Sequence, residues 1–125
     1  MSYTISQADI DAYNNDGAVS LRGVISPQQL DELACAIEDD IREPGPFFHG
    51  YESDEGRFHG NLRLWETHPT FRRICLESAL PALAQGFFGN EKINPLYDQL
   101  VVKEAAMGQR TRWHNDQPYW PIRGW

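Results

Sequence analysis

Nine residues near the end of the chain, Trp113-His114-Asn115-Asp116-Gln117-Pro118-Tyr119-Trp120-Pro121, set an imidazole and a carboxylate two positions apart. In an extended backbone successive side chains alternate between faces, so His114 and Asp116 project the same way while Trp113 and Asn115 point oppositely. One ion can then touch both. A neutral imidazole and a carboxylate suit a divalent first-row metal, and two histidines with one carboxylate, leaving open positions, is the usual arrangement for non-haem Fe(II) oxygen chemistry. The sequence shows two of those three ligands. With 4 His and 18 acidic residues in the chain, a His-x-Asp arises by chance roughly one time in five. The spacing is weak by itself; its frame of aromatics, two prolines and a preceding apolar strand is more specific.

The elements that must position this pair are read from periodicity and caps. Ser6 caps a short amino-terminal helix with Asp9 in its first turn, and Asn14 to Gly17 end it. Ala18-Val19-Ser20-Leu21-Arg22 alternates like a short strand. Ser26-Pro27-Gln28-Gln29 is a strong helix start, followed by an apolar stripe of Leu30, Leu33, Ala34, Ile37 and Ile41. Residues 43–60, rich in Gly, Pro, aromatics and charge, are expected to form a long loop or lid. Asn61 to Trp65 alternates like a strand. Helices are expected after His68-Pro69 and over Ala79 to Phe88, the latter capped by Ser78, closed by Gly89 and burying Leu80, Leu83, Ala84, Phe87 and Phe88. Tyr97 to Glu104 reads as a strand apolar on both faces, Gly108 to Arg110 as a turn, and Thr111 to Asp116 as a following strand.

Other candidates have blander readings. His49 and His59 lie in the expected loop and His68 at a helix start, and none has a partner at ligand spacing; exposed or hydrogen-bonded histidines are commoner than ligands. Trp113, Tyr119 and Trp120 are expected in core or rim packing, since aromatics bury well whatever the function. Lys103, Arg110 and Arg112 are read as solvated charges at strand ends. Cys35 and Cys75 lack the CxxC spacing of a metal or redox pair and are expected as buried free thiols.

The run Tyr97 to Trp125 (YDQLVVKEAAMGQRTRWHNDQPYWPIRGW) resembles the phytanoyl-CoA dioxygenase family of iron- and 2-oxoglutarate-dependent oxygenases. Asn15 to Pro27 (NDGAVSLRGVISP) is similar to the opening of that family. The resemblance implies Fe(II) bound by His114, Asp116 and a distal histidine, with 2-oxoglutarate as cosubstrate, dioxygen as oxidant and a small organic molecule as substrate. It places Gln99 on the wall of the 2-oxoglutarate pocket and Arg63 at a basic position that contacts the same cosubstrate in some members. An amide and a guanidinium both suit a carboxylate. The implied fold is α+β, an amino-terminal helical layer followed by the first strands of a double-stranded β-helix, or jelly roll, which takes about eight strands in all. About 30 residues follow Pro95, enough for roughly three, and the distal histidine and the cosubstrate arginine have no counterpart. The expectation is therefore an incomplete amino-terminal part of an oxygenase, 1–125 as one domain, inactive alone. The competing expectation is a non-catalytic remnant or partner-binding module that keeps part of the metal site.

Composition agrees with a globular protein: 41% hydrophobic and 23% charged residues in 125. The net charge of −7 is uneven, with 12 acids and 3 bases in residues 1–62 against 6 acids and 8 bases in residues 63–125. An acidic chain without a basic stripe disfavours nucleic-acid binding. No basic apolar leader and no long apolar run appear, so membrane insertion is not expected and a cytoplasmic location follows by default.

Overall fold

Reciprocal capping boxes set the starts of the first two helices. Ser6 Oγ accepts from the Asp9 amide at 3.2 Å while Asp9 accepts from the Ser6 amide at 2.9 Å. Ser26 and Gln29 repeat the exchange at 3.2 and 3.0 Å, with Pro27 at the first helical position. Each such cap contributes about 1 kcal/mol. The computed structural model describes residues 3–53, 56–105 and 111–120. Among them run α1 (Gln7–Asp16), α2 (Pro27–Arg42), β1 (His49–Ser53), β2 (Gly56–Leu62), α3 (Leu64–Thr67), α4 (Pro69–Glu77), α5 (Leu80–Phe88), β3 (Gln99–Lys103) and a 3-10 turn over Gln117–Tyr119. The architecture is α+β. Gly17 and Gly89 close α1 and α5 in the left-handed region, at φ 75° and 63°, where glycine carries no side-chain penalty.

The three strands form one antiparallel sheet in the order β1-β2-β3. His49 pairs with Gly60 and Gly60 with Val101, while Gly50 pairs with His59 and His59 with Val102. One face, carrying His59, Asn61, Leu100 and Val102, looks toward α2; the other carries His49, Phe58, Leu62, Gln99, Val101 and Lys103. On β3 the second set is exposed and the first half-buried. Helix α4 packs on α2, α3 and α5, and Arg73 of α4 pairs with Glu32 of α2. Tyr13 of α1 meets Phe87 of α5 at a ring separation of 5.3 Å.

Several expectations are corrected. Residues 43–60 are not a long loop, because β1 and most of β2 fall within them. The hairpin is hidden in the sequence by Gly50 and Gly60, where a neighbour's ring lies in place of a side chain: a Cβ on Gly50 would meet Phe48 Cζ at 2.8 Å, and one on Gly60 would meet His49 Cε1 at 2.6 Å. Alternation cannot be read at a position that has no side chain. Ala18 to Arg22 keeps alternating exposure but forms no strand, and Thr111 to Asp116 likewise forms none. Neither has a ladder partner among the described residues. A strand is a property of a pair, so alternation alone does not make one.

The expected strand over Asn61 to Trp65 divides: Asn61 and Leu62 end β2, Arg63 turns at φ 59°, and Leu64 opens α3. Asp98 causes the division, since its carbonyl accepts from the Arg63 amide at 3.1 Å and its carboxylate from the Trp65 amide at 3.0 Å. The apolar core is Ala36, Leu64, Ile74 and Leu83. Leu30, Leu80 and Phe88, expected inside, are exposed, and α2 turns Ala36 and Asp40 inward instead. Cys35 is exposed rather than buried and Cys75 half-buried, and both are free thiols. Burial pushes the Cys75 thiol pKa up, with Asp98 adding to the rise. The turn expected over Gly108 to Arg110 lies outside the described residues.

Candidate metal centre

The segment 111–120 is held at both ends to the surroundings of β3. Lys103 Nζ donates to Thr111 Oγ1 at 2.5 Å, and Tyr97 and Trp120 meet edge to face at 4.6 Å. The segment therefore returns antiparallel to β3 without joining its ladder. Within it, the backbone bends at Asp116 (φ −76°, ψ −23°), whose carbonyl accepts from the Tyr119 amide at 2.9 Å, while Asn115 Oδ1 accepts from the Gln117 amide at 2.9 Å. The side chains of His114 and Asp116 share one side, and the chain then turns at Asp116 into the 3-10 turn.

His114 Nε2 lies 3.3 Å from Asp116 Oδ1, and both side chains are more than half exposed. On its other edge, His114 Nδ1 is 2.7 Å from the Arg112 carbonyl oxygen. That carbonyl can only accept, which assigns the proton to Nδ1 in the neutral ring and leaves the Nε2 lone pair facing the carboxylate. In that form two electron-rich atoms face each other and can share a cation. Metal ligands bonded at about 2.1 Å and at right angles sit about 3.0 Å apart, close to the observed span. The backbone acceptor on Nδ1 is also the kind of partner that orients a metal-bound histidine. The pair fits adjacent positions on one divalent ion.

The remaining expected residues take other places. Gln99 opens β3, exposed, opposite Leu62. Arg63 is the next residue after β2, and its guanidinium makes a fork on Glu66, with Nε and Nη2 at 2.9 and 2.8 Å from Oε1 and Nη2 at 2.7 Å from Oε2. Its carbon stands 5.4 Å from the centre of the Phe47 ring. The β2–β3 pairing makes Gln99 and Arg63 neighbours, through the Leu62–Gln99 pair and the Arg63–Asp98 backbone bond. Trp113 and Tyr119, expected in packing, are exposed, Trp113 at 103% of its reference area; Trp120 alone of the three packs, on Tyr97. Lys103 is tied to Thr111 and Arg112 is exposed, while Arg110 lies outside the described residues. His68 caps α4, its Nδ1 accepting from the Thr70 amide at 3.2 Å. Among the described residues no three His, Cys, Asp or Glu side chains cluster as a metal site.

Two buried polar features escape sequence reasoning. His59 Nε2 is 2.8 Å from Asp40 Oδ2, and Asn61 Nδ2 donates to Asp40 Oδ1 at 2.8 Å. All three are 5% exposed or less, and they join β2 to α2. The sequence signal is the apolar-free His-x-Asn spacing on one strand face, which is indistinguishable from an exposed strand until α2 is placed over it. The second is Asp98, whose carboxyl is pushed above its ordinary value by burial, against the lowering effect of the Trp65 amide. A cavity of about 690 Å³ lined by Tyr13, Leu21, Leu83 and Phe87 shares no residue with the 111–120 segment.

The model of the phytanoyl-CoA dioxygenase (PhyH) family matches residues 13–124. The chain belongs to this family. The match takes in α2, the whole sheet and the His114–Asp116 segment. No curated protein and no solved structure matches the chain. Membership of the phytanoyl-CoA dioxygenase family makes this an oxygenase-type chain at the level of the family. Among the described residues no helix is long and apolar enough to cross a membrane.

Proposed function

We propose that the chain contributes to an Fe(II)- and 2-oxoglutarate-dependent dioxygenase that hydroxylates a small organic molecule, with His114 and Asp116 as metal ligands. The observation that carries this reading is the 3.3 Å span between His114 Nε2 and Asp116 Oδ1, with the Nδ1 proton committed to Arg112. Iron(II), 2-oxoglutarate and dioxygen together supply the oxidising power for hydroxylation. His114 binds as the neutral ring, and Asp116 brings a negative charge that offsets part of the dication. Gln99 and Arg63 address the carboxylates of the cosubstrate, Gln99 through its amide and Arg63 through its fork once it leaves Glu66. The sheet is read as the first strands of a jelly roll, and the third ligand comes from outside the described residues. Two ligands without the third do not hold the ion in a fixed geometry, so the 125-residue chain alone is expected to bind metal without turnover.

Succinate formation from 2-oxoglutarate with Fe(II) and ascorbate tests this directly. Iron-dependent turnover by the 125-residue chain would overturn the two-ligand reading. Metal binding that survives Asp116→Ala unchanged would remove Asp116 from the ligand set.

A second reading has its own observation. Leu96, Val101, Trp113 and Tyr119, on or near β3 and in the 111–120 segment, are exposed large apolar side chains, which a bound partner would cover. On that reading the chain is a non-catalytic module that packs against a partner. Affinity of the metal-loaded chain for 2-oxoglutarate separates the two, because a module that only packs keeps part of the metal site but has no need of a cosubstrate.

A further inference from the structure

Four histidines occur in the chain, and three have ring hydrogen bonds: His59 to Asp40, His68 to the Thr70 amide and His114 to Arg112. His49 alone makes none to a described residue, yet its ring is held firmly. The place that a Gly60 side chain would fill is taken by His49 Nε2 and Cε1, the latter 2.6 Å from the Cβ position. The imidazole therefore lies across β2 instead of standing off the sheet, and it leans on the Phe58 ring at 5.9 Å. A glycine in the middle strand weakens the sheet and often marks a close approach. Here what approaches is a ring whose nitrogens make no hydrogen bond to a described residue.

The lie of the ring gives it a direction. His49, Gly60 and Val101 form one rung across all three strands, so the ring points from β1 toward β3. β1 and β3 are two strand spacings apart, about 9.6 Å, and the ring covers the first. Gln99 and Lys103 flank Val101 on the same face. The described polar side chains on that face, His49, Gln99 and Lys103, include no carboxylate. An amide, an ammonium and an imidazole N–H are all donors suited to an anionic oxygen.

We propose that His49, laid over Gly60 on the open face of the sheet, hydrogen-bonds a carboxylate held between its ring and Gln99. This rests on the reading of Gln99 as a cosubstrate contact, and it adds a positioned donor that spacing in the sequence does not reveal. The neutral imidazole donates from one nitrogen, and its seat in the Gly60 notch fixes where the donated proton points.

The test uses the full 125-residue chain, labelled with ¹⁵N and loaded with Zn(II), titrated with 2-oxoglutarate while the His49 ring and the Gln99 side-chain amide are followed by NMR. Both signals should move with one affinity, and His49→Ala should weaken that affinity about tenfold, as loss of a hydrogen bond to a charged group does. Gly60→Ala should give a similar loss with His49 still present, because the added methyl displaces the ring; His49→Ala decides the matter if Gly60→Ala fails to fold. If Gln99 responds while the His49 ring stays still and His49→Ala binds as the parent does, the His49 proposal is overturned and the Gln99 reading stands. If neither signal responds to 2-oxoglutarate, both are overturned.

Discussion

His59 faces Asp40 at 2.8 Å and His114 faces Asp116 at 3.3 Å, so the molecule holds the same two functional groups in contact twice. Their surroundings differ. The first pair is almost wholly buried, Asn61 completes the hydrogen bonding of its carboxylate, and no room is left for a ligand. The second is more than half exposed, and in the neutral ring, with Nδ1 donating to the Arg112 carbonyl, the carboxylate faces the Nε2 lone pair. Burial with full satisfaction makes a structural joint. Exposure leaves the second pair open to an ion from solvent.

The comparison is broken most readily at the buried pair. Asp40→Ala leaves His59 and Asn61 unpaired beneath α2 and is expected to cost about 3 kcal/mol or more in urea unfolding, the usual price of stripping one partner from a buried pair. A change below about 1 kcal/mol, the range of exposed pairs, would erase the distinction. At the other pair the expectation reverses. Asp116→Ala should leave the unfolding free energy within about 0.5 kcal/mol of the parent, as a surface change does, while divalent-metal affinity by calorimetry drops at least tenfold. Stability loss without affinity loss would make the second pair a joint as well.

Smaller effects sharpen the contrast. Trp120→Ala removes the contact with Tyr97 that anchors the ligand segment and should weaken metal binding a few-fold, since supporting contacts act through ligand orientation; an unchanged affinity would show that the anchor is dispensable. The smallest expected effect concerns Asp98, whose folded pKa is raised above the ordinary 3.8 by burial. Folding then favours its protonated form, so its stability contribution is fully present below 3.8 and is lost as pH rises through the raised folded value. Asp98→Asn should remove that decline, read as a flatter pH dependence of the urea midpoint over that window. A slope identical to the parent's would assign the pH dependence elsewhere.

Legibility from sequence followed the range of the interactions. The two capping boxes, Pro27 and Gly89 act within four residues, so α2 starts and α5 ends where their signals predict, although the N-cap of α5 is Ala79 and not the expected Ser78. The β1–β2 hairpin was hidden because Gly50 and Gly60 interrupt the alternation, and their meaning lies in the rings of Phe48 and His49 laid over them. Asp40 reads as one more charge on an acidic helix until β2 brings His59 and Asn61 to it. The left turn at Arg63 depends on Asp98, thirty-five positions away.

For the candidate site the division is similar. Residue types and the two-residue spacing of His114 and Asp116 selected the metal chemistry, because donor atoms and charge are carried by the side chains themselves. Only the folded chain showed that their side chains meet outside any strand ladder, and that the Arg112 carbonyl engages Nδ1 of the ring. Only the folded chain separated the four histidines into a buried joint at His59, a helix cap at His68, an exposed neighbour of Asp116 at His114 and a ring laid over Gly60 at His49. Local chemistry is written in the order of residues; burial and direction come from segments distant in sequence meeting in space.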